Sequence, residues 1–327
     1  MSDWTEADIP DLSGRIMVVT GANSGLGLRS ASVLAEHGAR VVLACRSAER
    51  GEAALHSIAG AGGQADLVLL DLADLASVRT AAARIRGLTG DRIDVLMNNA
   101  GVMATPRMST KDGFELQFGA NHLGHAALTW LLMPALRATS GSSDSSGGSD
   151  SSGGPATRVV TMSSLAAKTG KLNLGDPNFQ NRMYTPVTAY GQAKLANAVF
   201  ARELDRRLRE AGTDVRSIAA HPGYTTTQLT TNMARSRRGI GRAIVSGFSS
   251  IGNAILGQDV RIGALPQLFA AVAEQAEGGK YYGPSGFQEM HGSPKQVPFP
   301  SGARDDSAGP RLWDVTAEMT GVTPDPA

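Results

Sequence analysis

The sequence contains one cysteine, carries almost no net charge and has no long apolar run, and each absence argues against a class of protein. The lone Cys45 excludes an internal disulfide framework and a cysteine-rich metal site, and it fits a reducing compartment. With 31 basic and 30 acidic side chains, the net charge of +1 gives nucleic-acid binding no support. No apolar run is long enough to span a bilayer, and the acidic N-terminus lacks a signal-type apolar stretch. We therefore expect a cytoplasmic protein.

Short apolar runs alternate with helical stretches through the first two-thirds of the chain. The runs are rich in β-branched residues, as strands buried on both faces should be. They occupy residues 16–20, 40–44, 67–70, 93–97, 158–162 and 215–219, and residues 280–282 are expected to add an edge strand. This alternation predicts a doubly wound α/β fold, in which helices cover both faces of a mostly parallel, seven-stranded sheet.

Three segments depart from this pattern, although we expect residues 1–327 to form a single domain. Residues 140–154 are a low-complexity run of Ser, Gly and Asp that we expect to be disordered. Because this insert follows a helix and precedes a strand, it should lie at the edge of the sheet remote from a ligand site. Residues 224–258 are basic and then apolar at helical spacing, which fits a surface helix or a membrane-surface patch. Residues 284–327 should form an extended C-terminal segment with a short helix near 311–320.

Tyr190 and Lys194 stand four residues apart, so a helix would place both side chains on the same face. A phenol ordinarily ionises near pH ~10, and an ammonium beside it favours the phenolate and lowers that pKa. We therefore predict a pair that gives and takes a proton near neutral pH. The alternative for so common a spacing is a surface helix that carries an amphipathic tyrosine and lysine.

A glycine-rich turn precedes this pair in the chain. Residues 20–27 read Thr-Gly-Ala-Asn-Ser-Gly-Leu-Gly, between an apolar run and a helical pattern. Glycines let the backbone approach a pyrophosphate closely, and the N-terminus of the helix offers N–H groups to it. Residues 98–101, Asn-Asn-Ala-Gly, and the pair Ser163–Ser164 each close a further apolar run. In this order the motifs resemble those of the short-chain dehydrogenase/reductase family, in its ordinary branch.

The resemblance implies a Rossmann fold and hydride transfer between a nicotinamide and a carbonyl or alcohol carbon. Tyr190 would be the general acid in reduction and the base in oxidation, while Lys194 would also hold the nicotinamide ribose. Ser164 would donate a hydrogen bond to the substrate oxygen, and Ser163 is the alternative for that role. Asn121 would anchor a water in the proton relay, or it is a helix-interior asparagine bonded to backbone.

Two parts of the chain would then surround the substrate. Ser164 and Tyr190 are 26 residues apart, which implies a long loop at 165–187 that helps to wall the site. By resemblance, residues 224–258 would form a mobile cover over it. We expect no metal, since His122 and His125 lack a third ligand at a helpful spacing and the resemblance explains their segment without one.

The choice of cofactor depends on the end of the second strand. Ala44-Cys45-Arg46 carries a basic side chain there, which would pair with the 2′-phosphate of NADP unless it only faces solvent. NADP is therefore preferred and NAD is the alternative. Asp71 matches a family position that bonds the adenine amine, although a turn-capping role is the alternative. The residues expected to bind the cofactor are Gly21, Asn23, Ser24, Gly25, Leu26, Gly27, Arg46, Asp71, Leu72, Asn99, Ala100, Gly101, Tyr190, Lys194, Pro222, Gly223, Thr225 and Thr227.

The motifs look most like those of the retinol dehydrogenase and protochlorophyllide reductase branch, which implies a bulky, apolar carbonyl or alcohol substrate. The helices that bear Asn121 and Tyr190 would provide the face for a homodimer, as they often do in this family. The alternative function is a non-catalytic dinucleotide-binding module that senses redox state or pairs with a partner.

Overall fold

The computed structural model describes residues 3–141, 156–224 and 259–326. Within these residues the strands form a single sheet. They are β1 (Ile16–Thr20), β2 (Arg40–Cys45), β3 (Gln64–Leu69), β4 (Val95–Asn98), β5 (Arg158–Met162), β6 (Arg216–Ala220), β7 (Tyr281–Pro284) and β8 (Pro294–Gln296). Their order in the sheet is β3-β2-β1-β4-β5-β6-β7-β8. All neighbours are parallel except the antiparallel pair β7 and β8, so the predicted doubly wound Rossmann fold is confirmed.

The number of strands differs from the seven that we predicted, because β8 lies outside the expected edge strand β7. The pairing joins Tyr282 to Gln296 and Pro284 to Pro294. The sequence gives little sign of β8, since the strand is three residues long and begins with proline. A proline has no N–H to donate to a neighbouring strand, so in sheets it is found mainly in edge strands, at strand ends and at bulges.

The helices of the described residues cover both faces of the sheet. They are α1 (Gly25–Glu36), α2 (Ala48–Gly60), α3 (Leu75–Thr89), α4 (Leu116–Phe118), α5 (Gly124–Gly141), α6 (Pro186–Glu210), α7 (Val260–Val272) and α8 (Ala308–Thr320), with a π-helical turn at Gly119–Leu123 between α4 and α5. Helices α3, α5, α6 and α8 share one apolar core, while α1, α2 and α7 share the other. The inner strands are buried on both sides: in β1, Val18 packs into the first core and Met17 and Val19 pack into the second.

The C-terminal segment adds helix α8 to the face formed by α5 and α6. Trp313 of α8 stacks on Phe200 of α6 with ring centroids 5.6 Å apart, and it meets Trp130 of α5 edge-on at 4.9 Å. Arg207 lies 4.6 Å from the centre of the Trp313 ring. The helix near 311–320 is therefore present, and it covers part of the two helices on which we expected a dimer face.

The described residues include the two elements on either side of the Ser/Gly insert. Helix α5 ends at Gly141 and β5 begins at Arg158. Thr139 accepts a hydrogen bond from the backbone of Ile93, just before β4 starts, so α5 ends at the edge where the strands begin. Residues 142–155 and 225–258 lie outside the described residues, and with them lie most of the predicted insert and cover. No helix of the described part of the chain is long and apolar enough to cross a membrane.

Candidate active site

A cavity of about 450 Å³ lies at the carboxyl edge of the sheet. The strand order reverses between β1 and β4, which places a crevice beyond the ends of these two strands. The residues after both strands, including Gly21 and Asn99, line the cavity. This is the position at which doubly wound sheets bind their ligands.

Glycines shape the turn after β1 and leave no room for side chains. Gly21 has a φ of +68°, and a Cβ added to it would lie 3.0 Å from Ala100. A Cβ on Gly27 would lie 2.4 Å from the carbonyl oxygen of Gly21 and 2.5 Å from the side-chain nitrogen of Asn99. Helix α1 therefore packs directly against the turn, and only glycine permits so close an approach.

The N-terminus of α1 offers backbone donors to this cavity. Ser24 is the N-cap residue, but its side chain makes no capping hydrogen bond. The first turn closes with the N–H of Leu28 bonded to the Ser24 carbonyl oxygen at 3.2 Å, so the N–H groups before Leu28 lack a partner within the helix. Such donors, in a cradle that a Cβ would fill, fit a pyrophosphate.

The predicted cofactor residues of the first part of the chain all line this cavity. They are Gly21, Asn23, Ser24, Gly25, Leu26, Gly27, Arg46, Asp71, Leu72, Asn99, Ala100 and Gly101. Arg46 is exposed, and Arg50, which the sequence reasoning missed, lines the cavity as well. Asp71 accepts a hydrogen bond from the N–H of Ala73 at 3.0 Å, so it caps its own turn while it lines the cavity.

Tyr190 and Lys194 lie on α6 and do not line the cavity themselves, but the Lys194 Nζ lies close to Gly101, which does. The Lys194 Nζ lies 6.0 Å from the centre of the Tyr190 ring and donates a hydrogen bond to the Met162 carbonyl oxygen at 3.0 Å. A Cβ on Gly101 would lie 3.5 Å from that Nζ and 3.1 Å from the Asn121 Oδ1. The wall of the cavity is therefore continuous with the catalytic candidates.

The two serines that follow β5 have different surroundings. Ser163 is buried and donates to the backbone carbonyl oxygen of Lys194 at 2.7 Å. Ser164 is half-buried, accepts a hydrogen bond from the N–H of Ala166 at 3.3 Å and interacts with the Tyr190 phenol as a hydrogen-bond partner. Ser164 is thus the serine beside Tyr190, while Ser163 ties β5 to helix α6.

Asn121 lies in the π-helical turn before α5 and holds the chain after β4. Its Oδ1 accepts from the N–H of Val102 at 2.7 Å, and its Nδ2 donates to the Val102 carbonyl oxygen at 2.9 Å. Val102 and Gly101 both line the cavity. The alternative of a helix-interior asparagine bonded to backbone is therefore realised, but the backbone that it holds is the cavity wall.

The pKa shifts at this site correct one of our predictions. Burial lowers the pKa of Lys194 to about 8, since it disfavours the ammonium. Burial raises the pKa of Tyr190, although its hydrogen bond with Ser164 acts in the opposite direction. We predicted that Lys194 would lower the pKa of Tyr190, and that direction is wrong in the protein alone. The main cause is burial, which disfavours the phenolate, while the ammonium is bonded to Met162 and stands 6.0 Å from the ring centre.

His122 and His125 are buried and satisfied by other protein groups. The Nε2 of His122 lies 2.9 Å from the Thr316 hydroxyl of α8. The Nδ1 of His125 lies 2.9 Å from the carbonyl oxygen of Asn121, and its Nε2 lies 2.9 Å from the Thr20 hydroxyl. Burial lowers the pKa of His122 to about 3 and of His125 to about 4, so both rings are neutral at neutral pH.

The end of β6 carries the remaining cofactor candidates. Pro222 and Gly223 are half-buried and follow His221, but they do not line the main cavity. Gly223 has a φ of +70° and donates its N–H to the Nδ1 of His221 at 3.2 Å. Thr225 and Thr227 lie outside the described residues, so their predicted roles stay predictions.

The long loop between Ser164 and Tyr190 is bonded to the cavity wall. The Tyr184 hydroxyl donates to the carbonyl oxygen of Thr105 at 2.9 Å, and Arg107 donates to that of Phe179 at 2.8 Å. Thr105 lines the cavity, as does Met108, which is exposed. The sequence reasoning missed this partner segment, since its hydrogen bonds join residues more than seventy positions apart.

Known proteins of similar sequence and structure belong to the family that the sequence motifs resemble. The family model described as short chain dehydrogenase matches residues 15–238. Retinol dehydrogenase 13 from Homo sapiens is 37% identical over 329 residues, which cover 97% of this chain and 87% of the relative. The crystal structure of an uncharacterized protein from Mycobacterium paratuberculosis has a TM-score of 0.76 and 38% identity over 98% of both chains. Pseudomonas aeruginosa RhlG, solved as an NADP active-site complex, shares the fold with a TM-score of 0.61 at 24% identity, over 83% of this chain and 94% of its own.

The chain belongs to the short-chain dehydrogenase/reductase family and falls within its retinol dehydrogenase-like group. It is an oxidoreductase that acts on alcohol or carbonyl groups with a nicotinamide dinucleotide as cofactor.

Proposed function

We propose that the protein is an NADP-dependent oxidoreductase of bulky, apolar carbonyls or alcohols, with Tyr190 as the general acid and base. The observation that carries this proposal is that Tyr190 has Ser164 and Lys194 as neighbours, while the Lys194 Nζ lies close to Gly101 in the wall of a cavity that fits a dinucleotide.

The cofactor would lie along the carboxyl edge of the sheet. The glycine turn and the N-terminus of α1 would hold the pyrophosphate, Asp71 the adenine, and Lys194 together with Pro222 and Gly223 the nicotinamide end. When bound, the nicotinamide gives or takes the hydride, and its oxidised ring carries a positive charge. The chain itself then has to orient the substrate and to move one proton.

Tyr190 would carry that proton. In reduction its phenol donates to the substrate oxygen, and a raised pKa keeps the phenol protonated until charge develops on that oxygen. Ser164, already a hydrogen-bond partner of Tyr190, would donate a second hydrogen bond to the same oxygen. Lys194, with its pKa lowered to about 8, would supply a positive charge close by, while Asn121 would keep Gly101 and Val102 in place.

The preference for NADP rests on two arginines. Arg46 and Arg50 both line the adenosine side of the cavity, and Arg46 follows β2, where an acidic residue would repel a 2′-phosphate. Neither side chain takes part in an ion pair of the described part of the chain, so both stay available to a phosphate. RhlG, the relative solved with NADP in its active site, agrees with this preference.

An apolar substrate agrees with the wall of the site. Met103, Met108 and Leu116 line the cavity, and Met108 is 53% exposed. Such apolar groups around an opening suit an apolar ligand. The name of retinol dehydrogenase 13 points to the same class of substrate. Residues 224–258 would close over it as the substrate cover.

The test is turnover of NADPH by the purified protein with a panel of retinoid, steroid, lipid and aromatic aldehydes and ketones. Tyr190→Phe should lower kcat by about 10²-fold or more and leave NADPH affinity within about twofold, because it removes the hydroxyl that supplies the proton and keeps the ring. Tyr184→Phe is the matched control, since Tyr184 bonds Thr105 in the same wall and should retain kcat. Binding of NADPH without turnover of any substrate would favour the redox sensor instead.

A further inference from the structure

One carboxylate near the active site joins two segments that are distant in sequence. The Oε2 of Glu289 lies 2.9 Å from the Lys168 Nζ and 3.0 Å from the His221 Nε2. Lys168 ends the short helical turn that follows Ser164, and His221 begins the turn after β6. Glu289 thus spans the two sides of the site between the catalytic serine and the nicotinamide end.

The hydrogen bonds of His221 show which group donates in its contact with Glu289. Its Nδ1 accepts from the N–H of Gly223, so the ring proton resides on Nε2 and is donated to Glu289. Burial lowers the pKa of His221 and keeps the ring neutral. Burial opposes ionisation of Glu289, but the hydrogen bonds from His221 and Lys168 outweigh it and lower its pKa to about 2. The contact is therefore a charge-assisted hydrogen bond to a carboxylate.

The backbone that carries Glu289 is strained. Gln288 and Glu289 have φ values of +50° and +59°, in the left-handed region that residues with a Cβ rarely adopt. Strain of this kind persists where neighbouring contacts impose it, and it concentrates at functional sites. Phe287, the residue before them, is 71% exposed, so burial of an apolar side chain does not explain the conformation.

The same loop also holds the turn after β6 through its backbone. The Met290 carbonyl oxygen accepts from the N–H of Tyr224 at 2.8 Å. A Cβ on Gly223 would lie 2.5 Å from that oxygen and 2.9 Å from the carbonyl oxygen of Glu289. Pro222 and Gly223 are thus fixed from one side by the loop backbone and, through His221, by the Glu289 carboxylate.

We propose that Glu289 is a positioning residue that holds the Pro222–Gly223 turn and the segment after Ser164 in register for the nicotinamide ring and the substrate. This inference rests on the proposed function, because it concerns the same site. Glu289 touches neither reactant, and it acts through His221 and Lys168. Its loss should therefore loosen the nicotinamide end of the cofactor and spare the adenosine end, which would lie farther along the same carboxyl edge, after β1 and β2.

The experiment compares two ligands in full-length protein by calorimetric titration: NADPH and adenosine 2′,5′-bisphosphate, which has no nicotinamide. Glu289→Gln keeps the size of the side chain but removes the charge that both partners use. This substitution should weaken the binding of NADPH by about tenfold and change the affinity for the bisphosphate less than twofold. Phe287→Ala, in the same turn, is the control and should change the affinity for neither ligand.

Lys168→Met supplies a second measurement, since it removes one exposed partner and keeps the His221 contact. Lys168→Met should also weaken the binding of NADPH, by a smaller factor than Glu289→Gln. This measurement stands even if Glu289→Gln does not fold. Equal weakening of both ligands, or no change in either, would overturn the positioning role. Failure of the wild-type protein to bind NADPH would instead overturn the proposed function, and the inference with it.

Discussion

The Nε2 of His125 lies 2.9 Å from the hydroxyl oxygen of Thr20, which joins the first turn of α5 to the end of β1. The same hydroxyl accepts hydrogen bonds from the N–H groups of Asn99 and Ala100, each at 2.9 Å. The Asn121 carbonyl oxygen can only accept, so the ring proton of His125 lies on Nδ1. Its Nε2 accepts from the Thr20 hydroxyl at 2.9 Å, a shorter contact than the 3.2 Å from that hydroxyl to the Met97 carbonyl oxygen. A neutral histidine thus connects two cavity walls.

Replacement of His125 by phenylalanine should disturb the cofactor site as well as the fold. The ring volume is kept, but Thr20 and the Asn121 carbonyl oxygen lose their partner, which costs about 1–3 kcal/mol of unfolding free energy. We expect NADPH affinity to fall severalfold. His122→Phe is the control, because His122 is equally buried but bonds Thr316 away from the cavity. It should lower stability and leave NADPH affinity unchanged; equal effects of both variants on affinity would contradict this account.

The two buried histidines also predict how stability depends on pH. Burial lowers the pKa of His122 to about 3 and of His125 to about 4, whereas an unfolded chain binds a proton at each near pH ~6.5. Their contribution is therefore complete above about pH 6.5 and is lost as the pH falls toward about 4, because only the unfolded state gains protons. Urea unfolding of the wild type and His125→Phe at neutral and mildly acidic pH measures this. The variant should lose less stability on acidification, and equal losses would refute the assignment.

Arg46 should decide between the two nicotinamide dinucleotides. Arg46→Ala removes one charged donor for a 2′-phosphate, so kcat/KM with NADPH should fall by about 10- to 100-fold while that with NADH changes little. Arg50→Ala reports whether the second arginine shares the phosphate. If neither substitution alters the ratio of NADPH to NADH use, the preference does not arise at the end of β2.

Ser163 and Ser164 should separate stability from catalysis. Ser164→Ala should lower kcat by about 10²- to 10³-fold with little change in melting temperature, since it removes a donor to the substrate oxygen. Ser163→Ala should cost about 1 kcal/mol of unfolding free energy, because the bond to the Lys194 backbone is lost. Steady-state kinetics and thermal unfolding of both variants would check this. A loss of kcat in Ser163→Ala and a loss of stability in Ser164→Ala would mean that the two roles are the other way round.

Two helical glycines give a matched test of the cofactor turn. Gly27→Ala would place a Cβ 2.4 Å from the backbone of Gly21, so it should abolish NADPH binding or destabilise the protein. Gly87, inside α3, has open space around it, with nothing within 4 Å of an added Cβ. Gly87→Ala should therefore be neutral or stabilising by up to about 1 kcal/mol, as alanine favours helix. NADPH titration and urea unfolding of both variants would check this. If the two variants had similar NADPH affinities and similar unfolding free energies, the close packing at Gly27 would not be what the turn requires.

The sequence predicts the part of the molecule that local chemistry determines. Strands such as β1 and β5 are buried on both faces, so their apolar runs are visible without knowledge of the tertiary fold. The glycine turn can also be recognised from the sequence, because close packing at Gly27 excludes every other residue type. The Tyr190 and Lys194 pair is visible because helical spacing alone places both on α6.

The rest depends on contacts between distant residues. Glu289 meets Lys168 and His221 across more than sixty positions, and nothing near Glu289 in the sequence indicates either partner. The predicted pKa direction of Tyr190 was wrong for the same reason, since it is set mainly by burial among elements distant in sequence. Arg50 could have been found by asking which basic side chains flank Arg46 at the start of α2.

Gly141 and Arg158 bracket residues 142–155 at the edge of the sheet where the strands begin, a full strand length, roughly 16 Å, from the edge that holds the cavity. A fluorescent reporter or an immobilisation tag joined to the chain between them would therefore stand on the far side of the molecule from bound dinucleotide. The protein offers a ready attachment point from which ligand binding could be followed without obstruction of the entrance.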